Sequence, residues 1–245
     1  ITSSSFLFLL LVFMLVILSL QSCVSPERMP PHLMEKGLLD LSSFPLRRDT
    51  IFELSGEWEF YWDCLLFSHD FDDHEKARPS DYMLVPGFWD IEENNDGGRF
   101  TRVGQATYRL RILLPPGRHK LGVKVKSVYS ACRLFVDDIL LLDGKIQETH
   151  STSECSQPVT NLAFFEGGEE TEIILHVLNA DMEHGGIRSP VLLGGEAGIL
   201  GMHERSIGFD IFLFGCIFII GIYHIIFFFS KKREKASLFF GLFCV

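Results

Sequence analysis

The residues with the most chemical potential fall in two stretches far apart in the chain. Phe88 and Trp89 follow Pro86-Gly87 and precede Asp90, with Arg99 further along the same polar stretch; Asn179 and Asp181 form the second. A Trp beside a turn can lay its ring on the apolar face of a sugar, because a rigid indole supplies contact area at low entropy cost. A planar Arg and carboxylates suit the recognition of hydroxyl and carboxylate groups. Trp89 is therefore the candidate stacking platform, and Asp90, Arg99, Asn179 and Asp181 are the candidate polar contacts. Each has a plainer alternative. Trp89 can be a rim aromatic that plugs a β sandwich, and the polar groups can be solvated loop side chains. His184-Gly185-Gly186 can be a bent link, where glycine permits positive φ or close approach, and His184 reads as structural and not as a ligand contact.

Catalysis finds no support in the motifs. There is no Gly-x-Ser-x-Gly, no Walker loop and no zinc-protease His-Glu pair. In so acidic a chain any two carboxylates could be paired, so none is assigned a catalytic role, and nothing calls for a cofactor. Of the six Cys, Cys23 lies in an N-terminal apolar leader, and Cys216 and Cys244 fall in later apolar runs. Cys64, Cys132 and Cys155 remain, enough for one disulfide at most and without metal-ligand spacing, so no metal site is expected.

The elements that must position these residues are organised by a membrane span. Ile207–Phe229 is apolar apart from Asp210 and His224, and Lys231, Lys232, Arg233 and Lys235 follow at once. Roughly 23 residues make about 34 Å of helix, enough to cross a bilayer core of about 30 Å with some tilt. The basic cluster marks the cytoplasmic side, which puts residues 24–206 in the periplasm or outside. Asp210 then sits one turn inside the outer surface. His224 lies near the cytoplasmic interface, where an ionisable residue is either functional or, with Tyr223, bonded to a neighbouring helix. A second apolar run, residues 236–245, reads as the truncated start of another span in a longer, multi-pass protein.

At the other end, Phe6–Leu20 has the length of a signal-peptide core. Leu20-Gln21-Ser22-Cys23 resembles a loose lipobox, so residues 1–23 read as a signal peptide of either the ordinary or the lipoprotein type, with Cys23 the acylated residue in the second case. The chain carries a net charge of −10. All its acids except Asp210 and Glu234 lie between Val24 and Ser206, and so do all its Lys and Arg outside the 231–235 cluster. So acidic an exterior argues against nucleic-acid binding.

Between leader and span, residues 24–35 read as a Pro-rich linker and residues 36–200 as one all-β domain. Gly37–Leu41 is a first strand. Trp58, Phe60 and Trp62 share one face of another, with Trp58 and Phe60 assigned to the core. Tyr108, Leu110 and Ile112 alternate with Arg109 and Arg111. Leu121, Val123 and Val125 do the same, as do Ile173, Leu175 and Val177, and Val191–Leu193 closes the series. Asp137-Asp138 joins two apolar runs as a tight hairpin. Strands at this spacing, separated by turn signals and without helical runs, predict an antiparallel sandwich. Residues 67–82 and 90–104 are left as two long polar loops.

Gly56-Glu57-Trp58-Glu59-Phe60, Val85-Pro86-Gly87-Phe88-Trp89 and Ala106-Thr107-Tyr108-Arg109-Leu110 occur in an order similar to that of the jelly-roll, galactose-binding-like domain at the front of β-galactosidase and β-glucuronidase type glycosidases. In those enzymes the catalytic acids lie on a separate barrel. The later His184-Gly185-Gly186-Ile187-Arg188-Ser189-Pro190, Leu193-Gly194 and Gly221-Ile222-Tyr223-His224 resemble a different group. This is the bacterial seven-transmembrane receptors with diverse intracellular signalling modules (7TMR-DISM). That resemblance covers residues 36–245 and implies a jelly-roll sensor before the first of seven helices, with a cyclase, kinase or phosphatase module in the cytoplasm.

Together these observations predict a non-enzymatic, ligand-sensing domain of a receptor in the bacterial inner membrane. Its partners would be the membrane and a small molecule, with carbohydrate the leading class, and a homodimer is compatible with it. The alternatives are a membrane-anchored glycosidase-type carbohydrate-binding fragment and a surface lipoprotein.

Overall fold

A computed structural model describes residues 27–28, 34–72, 78–94, 97–125, 131–143, 161–230 and 235–244. The leader with Cys23, the basic residues 231–233, Cys155 and most of the 24–35 stretch lie outside these. The chain divides into two compact units, one spanning Pro26–Ile199 and the other containing Leu200–Val245.

The first unit is built of strands. In chain order they are β1 (Glu27–Arg28), β2 (Met34–Glu35), β3 (Leu38–Asp40), β4 (Ile51–Glu53), β5 (Gly56–Trp62), β6 (Asp81–Val85), β7 (Gly87–Phe88) and β8 (Gly104–Leu113). Then come β9 (His119–Val125), β10 (Ala131–Val136), β11 (Ile139–Asp143), β12 (Asn161–Gly167), β13 (Glu170–Asn179), β14 (Gly186–Ile187) and β15 (Val191–Gly195). One sheet runs β1-β4-β15-β9-β12. The larger runs β11-β10-β13-β8-β3-β2, with β5 paired to β8 and β6 to β5. Strand β8 is the spine of the larger sheet. One edge pairs along its whole length with β13; the other is shared, residues 106–109 with β5 and 111–113 with β3.

Alternation decides which side chains go inside. Ala106, Tyr108, Leu110 and Ile112 of β8 enter the core with Trp58 and Phe60 of β5 and Ile173, Leu175 and Val177 of β13. From the other sheet come Phe52, Leu121, Val123, Val125, Val191 and Leu193, so both sheets face one apolar cluster. Burying each large side chain contributes about 1.5–3 kcal/mol relative to leaving it exposed. The Asp137-Asp138 hairpin forms as read, with both residues at positive φ (47° and 67°), as a two-residue turn of the favoured hand requires.

Several expectations are corrected. The 24–35 stretch is not merely a linker: β1 pairs with β4, and β2 pairs with β3. The sheets are not purely antiparallel, because the β1–β4 and β3–β8 pairings are parallel. Strands β4, β6 and β12 were not legible as strands, being short or mixed in polarity. The loop read as residues 67–82 contains a 3-10 turn, Ser68–Asp72, and ends in β6.

The described residues of the second unit are helical. Helix α1 (Glu196–Ser230) begins at the residue after β15, eleven residues before the apolar stretch. It is long and apolar enough to cross a membrane. At about 1.5 Å per residue it measures roughly 52 Å, more than a bilayer core requires. The first turns, where Glu196, His203, Glu204 and Arg205 stand among glycines and apolar residues, are its surplus. Helix α2 (Lys235–Cys244) is short and apolar. It runs antiparallel to α1, with Ser237 beside His224 and Gly241 beside Gly221 and Ile225. The backbones approach so closely that a Cβ on Gly241 would lie 2.8 Å from the Gly221 carbonyl oxygen.

Candidate functional site

Two connections meet at one end of the β unit: residues 89–103, between β7 and β8, and residues 180–185, between β13 and β14. The pairing of β7 with β14, Gly186 opposite Phe88 and Ile187 opposite Gly87, brings them together. The Trp89 N–H donates to the Gly185 carbonyl at 3.0 Å, and its indole Nε1 donates to the Thr101 carbonyl at 3.0 Å. Asn179 is fully buried. Its amide donates to the Arg102 carbonyl at 2.8 Å, and its Oδ1 accepts the Met182 N–H at 2.9 Å. Arg102 closes the knot, its Nη1 donating to the Met182 carbonyl at 2.8 Å.

Asp90 and His184 form the polar centre of this end. Asp90 Oδ2 lies 2.9 Å from His184 Nδ1, and Oδ1 accepts the Gly185 N–H at 2.9 Å. Burial alone would raise the Asp90 pKa, but the hydrogen bonds from His184 and Gly185 outweigh it and hold the carboxyl below its usual range. The His184 side chain stays 38% exposed and its ring contacts Phe88. A carboxylate on Nδ1 fixes the ring's orientation and leaves Nε2 as the nitrogen available to a partner. Arrangements of this kind can hold a polar ligand or a proton.

Four of the five expected ligand contacts gather at this end, but not in the expected roles. Trp89 is fully buried, which overturns the expectation of a solvent-facing platform. Its ring packs against Phe60, Trp62 and Tyr108, with centroids 6.1, 5.5 and 6.5 Å away. Gly185 is what admits it, because a Cβ there would collide with the indole. The plainer reading of Trp89, an aromatic plugging the sandwich, is the correct one. Asn179 likewise spends its amide on backbone groups, whereas Asp181 is exposed. Arg99 stands apart, its guanidinium 3.7 Å from Glu93 of its own connection, both side chains exposed. Trp62, Phe88 and Phe100 are half-buried aromatics at this end, the centroids of Trp62 and Phe100 5.0 Å apart. The Asp90–His184 pair and the role of Arg102 were not foreseen. Nothing in the local sequence signals a bond between residues 94 positions apart.

Among the described residues no cluster of His, Cys, Asp and Glu could hold a metal ion. Cys64 and Cys132 are free thiols, the first exposed and the second buried, and burial pushes the Cys132 thiol up to about 11.

No protein-family model matches the chain. No curated protein matches it either. Solved structures similar to part of this chain include a GH2 β-galacturonidase from Eisenbergiella tayi bound to galacturonate, at 16% identity and a TM-score of 0.39 over 63% of this chain and 26% of that one. A β-glucuronidase from Faecalibacterium prausnitzii is similar at 14% identity and a TM-score of 0.42, over 62% of this chain and 33% of that one. A glycosyl hydrolase family 2 member from Bacteroides cellulosilyticus is similar at 15% identity and a TM-score of 0.41, over 59% of this chain and 20% of that one. The chain thus spans no more than a third of the length of these proteins.

Proposed function

We propose that this chain sets a non-catalytic, ligand-binding β domain at a membrane surface, as the sensor end of a receptor of the 7TMR-DISM type. The observation that supports the receptor reading best is the helical hairpin. The last strand passes into α1 without a loop, and α2 folds back on α1. The Ser237 hydroxyl donates to the His224 carbonyl at 3.1 Å and so accepts from Nδ1 at 3.1 Å. The close glycine contact beside it is what a helix bundle needs and a simple tether does not. In a receptor, ligand would act by binding one bundle state more tightly than another, since equal affinity for both shifts nothing.

The ligand class we favour is carbohydrate, with the exposed imidazole of His184, fixed by Asp90, and the half-buried rings of Trp62 and Phe100 as contacts. A jelly-roll topology belongs to the same proposal. A second reading is a glycosidase-type carbohydrate-binding domain on a membrane anchor. Among the described residues α1 is the one helix long enough to span, and one helix suffices for a tether.

A thermal-shift screen of the full chain in detergent against mono- and oligosaccharides tests the ligand class. A hit that His184→Ala weakens and Arg99→Ala leaves intact is the expected result. No shift with any sugar would remove carbohydrate from both readings.

A further inference from the structure

The outer face of the larger sheet is rich in polar groups, with Ile174 and Phe135 among them, and is partly covered. It carries Glu59 and Tyr61 from β5, Thr107, Arg109 and Arg111 from β8, and Glu172 and His176 from β13. Arg109 pairs with Glu172 and, at 3.1 Å, with Glu59, while the Tyr61 hydroxyl donates to Glu59 at 2.9 Å. The segment Cys64–Asp72 lies across this face. The Thr107 hydroxyl accepts the Leu66 N–H at 3.0 Å and donates to the Cys64 carbonyl at 2.8 Å. Ser68 bonds Glu172, and Phe71 packs on Tyr61 and over the Arg109 guanidinium at 3.9 Å. The Phe67 ring lies edge-on to Phe135 and His176.

His176 is the unusual member. It is fully buried, and its Nε2 lies 2.7 Å from the Leu66 carbonyl. A carbonyl only accepts, so Nε2 carries the proton and Nδ1 is bare in the neutral ring. Nδ1 is buried with no hydrogen-bond partner among the described residues. A second proton there would have nothing to donate to.

The surrounding charges do not help. Arg133 of β10 is directly opposite in register and is itself held by Asp143 at 3.1 Å. Thr107 of β8 is opposite on the other side and neutral. Glu172 of the same strand is already engaged by Arg109 and Ser68. On the covering segment, His69 stacks on Phe67 and stands 3.8 Å from Asp70, and the Cys64 thiol is exposed.

We propose that Cys64–Asp72 is an acid-released strap, latched over the sheet by neutral His176 through its bond to the Leu66 carbonyl. Protonation places a charge on the buried, unpartnered Nδ1 beside a guanidinium and two aromatic rings. Lifting the strap relieves it by letting water reach the ring, and uncovers the Glu59–Arg109–Glu172 row. Burial moves the His176 pKa below its ordinary value, and Arg133 adds to this against the opposing bond to Leu66. A depressed folded-state value means that the latch contributes fully above the ordinary histidine pKa of about 6.5 and is lost as pH falls through the lower folded value. The inference rests on the β unit and is independent of the receptor reading.

The test is hydrogen exchange of the full chain in detergent at about pH 7.5 and about pH 5, corrected for intrinsic rates. We expect the Leu66 and Asp70 amides to lose protection by about tenfold or more in acid, while β8 and β13 keep theirs. His176→Gln, whose amide can still donate to Leu66 but does not titrate, should keep the strap protected at both pH values. His69→Gln should leave the acid release unchanged, and decides the matter alone if His176→Gln does not fold. Unchanged protection in the wild type, acid release persisting in His176→Gln, or its loss in His69→Gln would each overturn the proposal.

Discussion

Asp90 holds His184 and Gly185 together with one carboxylate: Oδ2 lies 2.9 Å from the imidazole Nδ1, and Oδ1 accepts the Gly185 N–H at 2.9 Å. This bridge ties the residue after Trp89 to the connection that leads through β14 into β15, the strand from which α1 starts.

Removing that carboxylate strands a backbone N–H and frees the imidazole. Asp90→Ala should destabilise the β unit by about 1–3 kcal/mol, measured by denaturant titration. The wild type's advantage over this variant should hold above the ordinary Asp pKa of about 3.9 and fade as pH falls through the depressed value of folded Asp90. An advantage independent of acid would show that Asp90 contributes by packing and not by charge.

Trp89 fills the end of the core, so Trp89→Ala should cost about 3–5 kcal/mol of stability, on the scale of Trp58→Ala. Gly185→Ala should cost about 1–3 kcal/mol through overpacking against the same indole. Calorimetric melting of both variants checks this. A Trp89→Ala protein as stable as wild type would place the ring at the surface after all.

Arg109 serves two largely buried carboxylates. Arg109→Met should therefore destabilise by about 3 kcal/mol or more, because Glu59 and Glu172 lose their cation inside the covered face. Replacing both acids by Gln in the same chain should recover most of the loss. If the triple variant stays as unstable as the single one, the stem of Arg109 under Phe71 matters more than its charge.

Topology is checked by fusion reporters. A reporter joined after Lys235 should report cytoplasm, and one inserted at Gly168 should report the opposite side of the membrane. The same answer from both would remove α1 as a span.

The strands that were legible in the sequence are those whose pattern is complete within one segment. β8 shows this best: Tyr108, Leu110 and Ile112 lie inside, and Arg109 and Arg111 on the other face. The short strands β4, β6 and β7 carry too few alternating positions to declare themselves. The start of α1 is not legible because Glu196–Ser206 mixes glycines and apolar residues with Glu196, His203, Glu204 and Arg205, and an apolar count sees only the part that follows.

The candidate site was legible only as a set of residue types. Four of its five residues lie at one end of the β unit, but Trp89 is buried, because a Trp after a turn reads the same whether its ring faces water or core. Only the fold supplies what decides: Gly185, 96 positions later, offers a surface without a side chain, and the indole takes it.

By itself the sequence determined the β character, the core faces of the long strands, the Asp137-Asp138 turn and the long apolar helix, since each follows from periodicity or composition over a few turns of chain. Tertiary structure alone decided that Asp90 meets His184, that Trp89 is buried and that His176 lies beneath a strap. These are pairings across long separations in sequence. They are set by sheet order and register, and no local pattern of side chains encodes them.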